Sequence, residues 1–223
     1  MKVKLLTSVT SIKDMEQFAA IAALTCHGNA DKEFVASDVL KRIIKAGHES
    51  VLEHVTLTYS VKGLSRDCLQ QLSRHRLISQ SVESTRHTTK RYVLDDEWVT
   101  KTEKVVLPQF RELFRSDIAE LREVIRDNPE IKNDELKYRL RGYWPTNLVL
   151  TCNIRELRHI IRLRTAPAAL SEFRDLAYRL YHTVPEEYRY LLEDCVHEEV
   201  SCSENPNNSI THGNCVHGEV NNA

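Results

Sequence analysis

Between Arg74 and Arg86 the chain places three guanidiniums, an imidazole, a carboxylate and three serine hydroxyls within thirteen residues. Guanidiniums so close together repel one another unless an anion sits among them. Arg is also the side chain best shaped to grip a phosphate or a pyrimidine edge with two parallel hydrogen bonds. The segment therefore reads as an anion site with a planar guest. Gln71 and Arg74 are three residues apart and share a helix face, whereas Arg76 lies off it, so the two arginines can serve different ligands. His75 between them can stack on a ring or hydrogen-bond to it. Glu83-Ser84-Thr85-Arg86 offers hydroxyls and backbone N–H groups beside a guanidinium, a composition suited to cradling phosphate. A solvated basic face or an RNA-contacting strip is the plainer alternative. Gln71 before the triplet, with Ser84 and Arg86 after it, weighs against that alternative.

A second cluster runs from Asn153 to Arg164. At about 100° per residue, Arg155, His159 and Arg162 fall on one side and Leu157, Ile160, Ile161 and Leu163 on the other. Arg164 projects toward the apolar side, where a bare charge is costly. It needs either an internal carboxylate, with Glu172 and Glu156 as candidates, or a ligand. A third group, Gly47 to His54, holds His48, Glu49, Glu53 and His54. Its histidines are six apart, which does not match the four-residue spacing of a zinc-protease helix. A polar turn lining a site is the better reading, and no metal is expected. Ser84 lacks the strained elbow and the Ser-His-acid set of a nucleophile. The last residues carry Cys195, His197, Cys202, His212, Cys215 and His217, whose spacings match no zinc finger.

Several elements must position these groups. Lys2 to Val9 alternates weakly and is expected to be a strand. Ile12 to Thr25 has helical spacing. Ser37 is a candidate N-cap for a helix that Gly47 would stop. Val55 to Val61 alternates as a strand, and a helix from about Ser65 leads into the Arg74 segment. Arg91 to Val99 reads as a charged connection. Helices are expected over Val105 to Asp127, Asn133 to Arg141, Arg155 to Arg164 and Leu170 to His182, with a short apolar strand or entry turn at Asn147 to Cys152. Pro185 opens a last helix through Leu192. From residue 195 onward Asn, Ser, His and Gly dominate and aromatics vanish, so residues 1–194 read as one domain and 195–223 as a flexible tail.

The chain has 223 residues, 41% hydrophobic and 28% charged, enough for one sizeable core. Its 31 basic and 32 acidic residues leave a formal net charge of −1. That balance disfavours a general nucleic-acid binder and suits a small anionic ligand instead. No apolar run approaches membrane-spanning length, and no secretory pattern opens the chain. A cytoplasmic protein with reduced thiols is expected, with neither membrane nor nucleic acid as a partner.

Taken together, the clusters resemble the flavin-dependent thymidylate synthases. That family's signature is Arg-His-Arg, seven residues, then Ser, found here as Arg74-His75-Arg76 and Ser84. The family's upstream His…Glu-His element looks like His48 to His54. Its Arg before a Pro looks like Arg141 before Pro145. Its Asn-x-Arg helix ending in Arg looks like Asn153, Arg155, His159 and Arg164. The likeness spans roughly Lys2 to Glu193.

The resemblance implies an α+β fold with an antiparallel sheet core, long flanking helices and a homotetramer whose active sites lie between subunits. It implies dUMP held by Gln71, Leu72, Ser73, Arg74, Val82, Glu83, Ser84, Thr85, Arg86, Arg141 and Arg164. It implies FAD held by Ser50, Arg74, His75, Arg76, Asn153, Ile154, Arg155 and His159. Arg164 would be catalytic, contacting the uracil and favouring its N3-ionised form, and Arg141 would reach a neighbour's nucleotide. The implied reaction is reductive methylation of dUMP to dTMP. Methylenetetrahydrofolate gives the carbon and leaves as tetrahydrofolate; NADPH reduces the flavin, which supplies the hydride. The absence of an evident activated Cys agrees with a family that works without a cysteine nucleophile. Two positions depart from the pattern: Val82 stands where many members carry Glu or Gln, and His87 where many carry Tyr. The competing readings are a nucleotide-binding protein without methyl transfer and an RNA-binding module on the Arg74 strip.

Overall fold

Polar and apolar residues alternate along the two central strands, and that alternation organises the molecule. In the computed structural model, which describes residues 1–29 and 31–197, β1 (Lys2–Leu5), β2 (Thr56–Ser65), β3 (Ile78–Val82) and β4 (Pro145–Asn153) form one antiparallel sheet in the order β1-β2-β4-β3. In β2 Leu57, Tyr59 and Val61 are buried; opposite them on β4 lie Cys152, Leu150 and Leu148, in register. Thr58, Ser60 and Thr151 point to the other face, where the hydroxyls of Thr58 and Thr151 bond at 3.0 Å.

Helices cover the apolar face. They include α1 (Val9–Thr25), α2 (Ala36–Lys45), α8 (Ile154–Arg164) and α9 (Ser171–His182). Their Ala19, Ala20, Leu40, Leu157, Ile160, Ile161, Phe173 and Leu176 join the strand residues in one core. A smaller cluster holds Val93, Phe114, Ile118, Leu121, Leu136 and Trp144. It lies among α4 (Thr85–Leu94), α5 (Asp96–Val105), α6 (Arg111–Asp127) and α7 (Asn133–Leu136). The short α3 (Arg66–Leu72) leaves β2 at Ser65, whose hydroxyl caps it by accepting from Cys68 N at 3.1 Å.

The expected α+β architecture, with an antiparallel sheet and flanking helices, is what the chain adopts. Several local expectations are corrected. Arg91 to Val99 is no connection but the junction of α4 and α5. Residues Ile78 to Val82 form an edge strand that went unanticipated. The long helix begins at Arg111, because Pro108 after Leu107 sets a separate 3-10 turn. Val35, not Ser37, occupies the N-cap of α2, while Gly47 does end that region with φ 73°. The described residues run to 197, past the expected boundary at 194. Cys195 is buried, and His197 N donates to Thr165 Oγ1 at 3.0 Å. Cys202, His212, Cys215 and His217 lie outside the described residues.

One backbone position in the sheet requires glycine. The β2–β4 register shifts between Lys62 and Leu64, and the intervening Gly63 sits at φ 74°, a bulge conformation that L side chains resist. Gly63 N donates to Asn147 Oδ1 at 3.0 Å, which ties the bulge to the strand leading toward the site. Gly63→Ala is expected to lower unfolding stability by about 1–2 kcal/mol. Urea denaturation checks it: an unchanged midpoint would refute the strain.

Candidate active site

Three segments converge on a cleft of about 780 Å³. The first is α3 with the residue after it, supplying Arg66, Gln70 and Ser73. The second is the end of β3 and the start of α4, supplying Val82, Glu83, Ser84, Thr85 and Arg86. The third is the Lys137–Gly142 loop, supplying Lys137 and Arg141. Four cationic side chains on one concave wall suit an anion. The N-terminus of α4 adds backbone N–H groups, and its N-cap residue Ser84 makes no side-chain capping bond. Helix starts of this kind bind phosphate.

The wall is braced from behind. Glu83 accepts from the Tyr92 hydroxyl and from Asn147 Nδ2, and its own N–H donates to Asn147 O at 2.8 Å. Glu83 thus anchors the cradle to β4, and both carboxylate oxygens are occupied. Arg141 Nε donates to Asp117 Oδ2 at 2.8 Å, and the Tyr143 hydroxyl donates to the same oxygen. Asp117 is buried on α6, so it fixes the stem of Arg141 while the guanidinium remains at the cleft. Arg141, implied by resemblance to reach a neighbour's nucleotide, lines the cleft of its own chain.

Beside the cleft, α8 delivers Arg164 to α3. Asn153 caps α8 by accepting from Glu156 N at 2.8 Å. Three turns later Arg164 is half-buried, its guanidinium 4.5 Å from the ring centre of Phe173. Its Nε donates to His75 Nε2 at 3.2 Å, and its Nη1 lies 3.5 Å from Gln71 Oε1. Neither carboxylate suggested by the sequence pairs with it. Glu172 accepts from Ser65 N at 2.7 Å and from the Ser65 hydroxyl, and Glu156 Oε1 lies 3.2 Å from His75 Nδ1. Among the described residues Arg164 forms no ion pair.

His75 is the buried hinge of the Arg74–Arg76 turn, while Arg74 and Arg76 are exposed on either side of it. Burial lowers its pKa, the Arg164 charge lowers it further, and the bond to Glu156 offsets part of the effect. His75 is therefore neutral at pH 7.

The outer face of α8 forms a ledge carrying Arg155, His159 and Arg162, all exposed as expected. His159 meets His75 edge-on at 5.6 Å between ring centres. Arg155 Nη1 donates to Glu53 Oε1 at 2.6 Å, and Ser50 lies exposed in the neighbouring turn. Leu163, expected on the apolar side, is 48% exposed instead. Leu72 and Ile154 place their side chains in the core, so only their backbones can meet a ligand. Gln71, Arg74 and Arg164 do not line the cleft; Arg164 meets Gln71 on α3, the helix whose Gln70 does.

Sequence reasoning missed Arg66, Gln70 and Lys137 in the cleft wall, and it missed the structural role of Arg158. Arg158 is 1% exposed, yet fully paired. Its Nη1 and Nη2 donate to the two oxygens of Asp194 at 2.6 Å each, and Nε donates to Glu49 Oε1 at 3.0 Å. These bonds fasten the Glu49 turn and the chain's Glu193–Cys195 turn to α8. They also spend the Glu49 carboxylate that had invited a metal reading. No local pattern marks the partnership, because Asp194 lies 36 residues away. Burial pushes the Asp194 carboxyl up, but paired hydrogen bonds from Arg158 outweigh this and hold it below the usual range. The stability this contributes is complete above the unfolded pKa, about 3.9, and is lost as pH falls through the lower folded value. Thermal unfolding between pH 6 and 3 should therefore show a steeper acid loss in the wild type than in Asp194→Asn. Parallel curves would refute the linkage.

The chain is similar to known proteins over most of its length. Residues 5–188 match the family model described as thymidylate synthase complementing protein. A flavin-dependent thymidylate synthase from Campylobacter jejuni is 35% identical over 183 residues, covering 78% of this chain and 86% of that one. One from Wolinella succinogenes is 36% identical over 168 residues, covering 70% and 78%. A crystal structure of the Helicobacter pylori thymidylate synthase X with FAD and dUMP superposes with TM-score 0.76 at 28% identity, covering 88% of this chain and 99% of that one. The match over nearly the whole described fold, with an anion cleft beside an arginine that lacks a carboxylate, leads to one conclusion: this chain belongs to the flavin-dependent thymidylate synthase family.

Proposed function

We propose that the cleft holds dUMP, that the α8 ledge holds FAD, and that Arg164 acts on the uracil where the two meet. The reaction is the family's reductive methylation of dUMP to dTMP with 5,10-methylenetetrahydrofolate as carbon donor. The observation that carries the residue assignment is Arg164 itself: a half-buried guanidinium beside a cationic cleft, with donors aimed at no carboxylate. A uracil ring with ionised N3 supplies the missing negative partner, flat and of the right shape for a two-pronged contact. Stabilising that form enriches the ring in electrons, which is what attack on a one-carbon unit requires.

The cleft residues divide the nucleotide between them. Ser84, Thr85 and Arg86 at the start of α4 take the phosphate, with Arg141 across the cleft. Gln71 and Arg74, which stand outside the cleft lining, are assigned the sugar and base, and Ser73 closes the α3 side. Val82 presents a methyl surface where a polar contact is common in the family. The ledge fits a flavin nucleotide in chemistry: Arg74, Arg76 and Arg155 offer charge for a pyrophosphate, His159 and His75 offer ring faces, and Ser50 and the Asn153–Ile154 backbone offer hydrogen bonds. When bound, FAD carries the hydride that NADPH donates and the new methyl group receives.

Thiol chemistry has little room. Burial pushes the Cys152 thiol up to about 12 and moves Cys68 and Cys195 upward as well, so none is a ready nucleophile. Exposed Leu163 and Leu170 beside the ledge, and Phe18 and Ile21 on α1, favour self-association, and a homotetramer completes the site.

The purified protein should be yellow, and anaerobic NADPH should bleach it at a rate that dUMP alters. A colourless protein that takes up no FAD would reject the reading. Arg164→Ala should lower dTMP formation by roughly 10²–10³-fold, as for loss of a transition-state donor, while retaining bound flavin. Unchanged turnover would remove its role. Arg86→Ala should weaken dUMP binding by about tenfold or more, measured by calorimetry; equal affinity would move the phosphate elsewhere.

A further inference from the structure

Hydrogen-bond direction around Arg164 determines more than its own placement. A guanidinium carries five N–H donors and no acceptor. Because Arg164 Nε faces His75 Nε2 at 3.2 Å, that ring nitrogen must present its lone pair. The ring proton of neutral His75 then sits on Nδ1. Nδ1–H in turn needs an acceptor, and Glu156 Oε1 lies 3.2 Å away.

Glu156 is 7% exposed and lies in the first turn of α8, where the positive end of the helix favours an anion. It is the first member of a buried chain that runs from carboxylate to imidazole to guanidinium, across 81 residues of sequence in its first link and 89 in its second. The other groups around the ring leave this order undisturbed. From α8 come Glu156, His159 and Arg164, and from α9 comes the uncharged face of Phe173 at 5.9 Å. On α3, Gln71 meets the Arg164 guanidinium rather than the ring. Glu172 of α9 is committed to Ser65.

Resting on the function proposed above, we propose that Glu156 is a positioning residue for catalysis: it fixes the Nδ1–H tautomer of His75, whose Nε2 lone pair then holds the Arg164 guanidinium on its target. Protonation of His75 abolishes the lone pair, turns two N–H groups toward each other and releases Arg164. Removal of the Glu156 charge permits the opposite tautomer, with the same consequence. Glu156 touches no ligand in this arrangement; it acts only through His75.

The test is Glu156→Gln in the holoenzyme, with bound flavin and thermal unfolding as controls for the fold. Removing a residue that orients an imidazole typically costs about 10–100-fold, and kcat should fall within that range. Glu156 raises the His75 pKa, so the acid limb of the kcat profile should move to lower pH in the variant. A purely structural role for Glu156 would leave that limb in place. Nitrogen NMR of histidine-labelled wild-type protein reads the tautomer directly, and decides the matter even where the variant fails to fold. At neutral pH His75 should show a protonated Nδ1 and an unprotonated Nε2. An Nε2–H tautomer, an imidazolium at pH 7, or a variant with unaltered kcat and pH profile would overturn the relay. A wild-type protein that shows the Nδ1–H tautomer but makes no dTMP would overturn the functional reading and leave the relay intact.

Discussion

A guanidinium can donate hydrogen bonds but never accept one, and much of this molecule is arranged around that fact. α8 carries Arg155, Arg158, Arg162 and Arg164 within ten residues, and each has a different fate. Arg158 is buried and fully paired, so it acts as a clamp holding two distant turns against the helix. Arg155 is exposed and bonded to Glu53, where it keeps the Ser50 turn beside the ledge. Arg162 spans Glu49 and the Cys195 sulfur. Arg164 alone of the four is packed on an aromatic face with only neutral partners. Glu172 and Glu156 are committed to Ser65 and His75, which leaves Arg164 without an ion pair among the described residues.

The same economy explains how the cleft is held. The cationic cradle cannot be braced by its own charges, which repel. It is braced by acids that anchor it: Asp117 holds Arg141, Glu83 in the cleft wall ties the start of α4 to Asn147, and Asp134 pairs with Arg86. Glu83 and Asp117 each accept from a tyrosine hydroxyl as well, so each carboxylate is hydrogen-bonded within the fold. Tyr92 and Tyr143 both pack against the second hydrophobic cluster, and Trp98 stacks on Tyr92 at 4.6 Å.

Elements with a strong apolar period were legible in the sequence. β2, β4 and α8 alternate or repeat clearly because each buries one face against the core. β3 was not legible: Ser79, Gln80 and Ser81 are exposed at a sheet edge, and only Ile78 and Val82 pack inward. α4 was hidden by its threonines. Thr88 and Thr89 are buried, and their hydroxyls return to the carbonyls of Ser84 and Thr85 at 3.1 and 2.8 Å, so polar letters fill an inward face. In the site, residue types and spacing marked the Arg74–Arg86 segment and singled out Arg164. Arg158–Asp194, Arg141–Asp117 and His75–Glu156 join residues 24 to 81 positions apart, and no local pattern encodes such partners.

The central claim is that Arg164 remains without a carboxylate because uracil is its partner. Calorimetric affinities of the wild type and Arg164→Ala for dUMP and for its N3-methylated analogue test this directly as a double-mutant cycle. Blocking N3 should cost the wild type roughly tenfold or more in affinity, about 1.4 kcal/mol, and cost the variant almost nothing. An equal penalty in both proteins would mean that Arg164 does not address the ring, and the assignment built on it would fall.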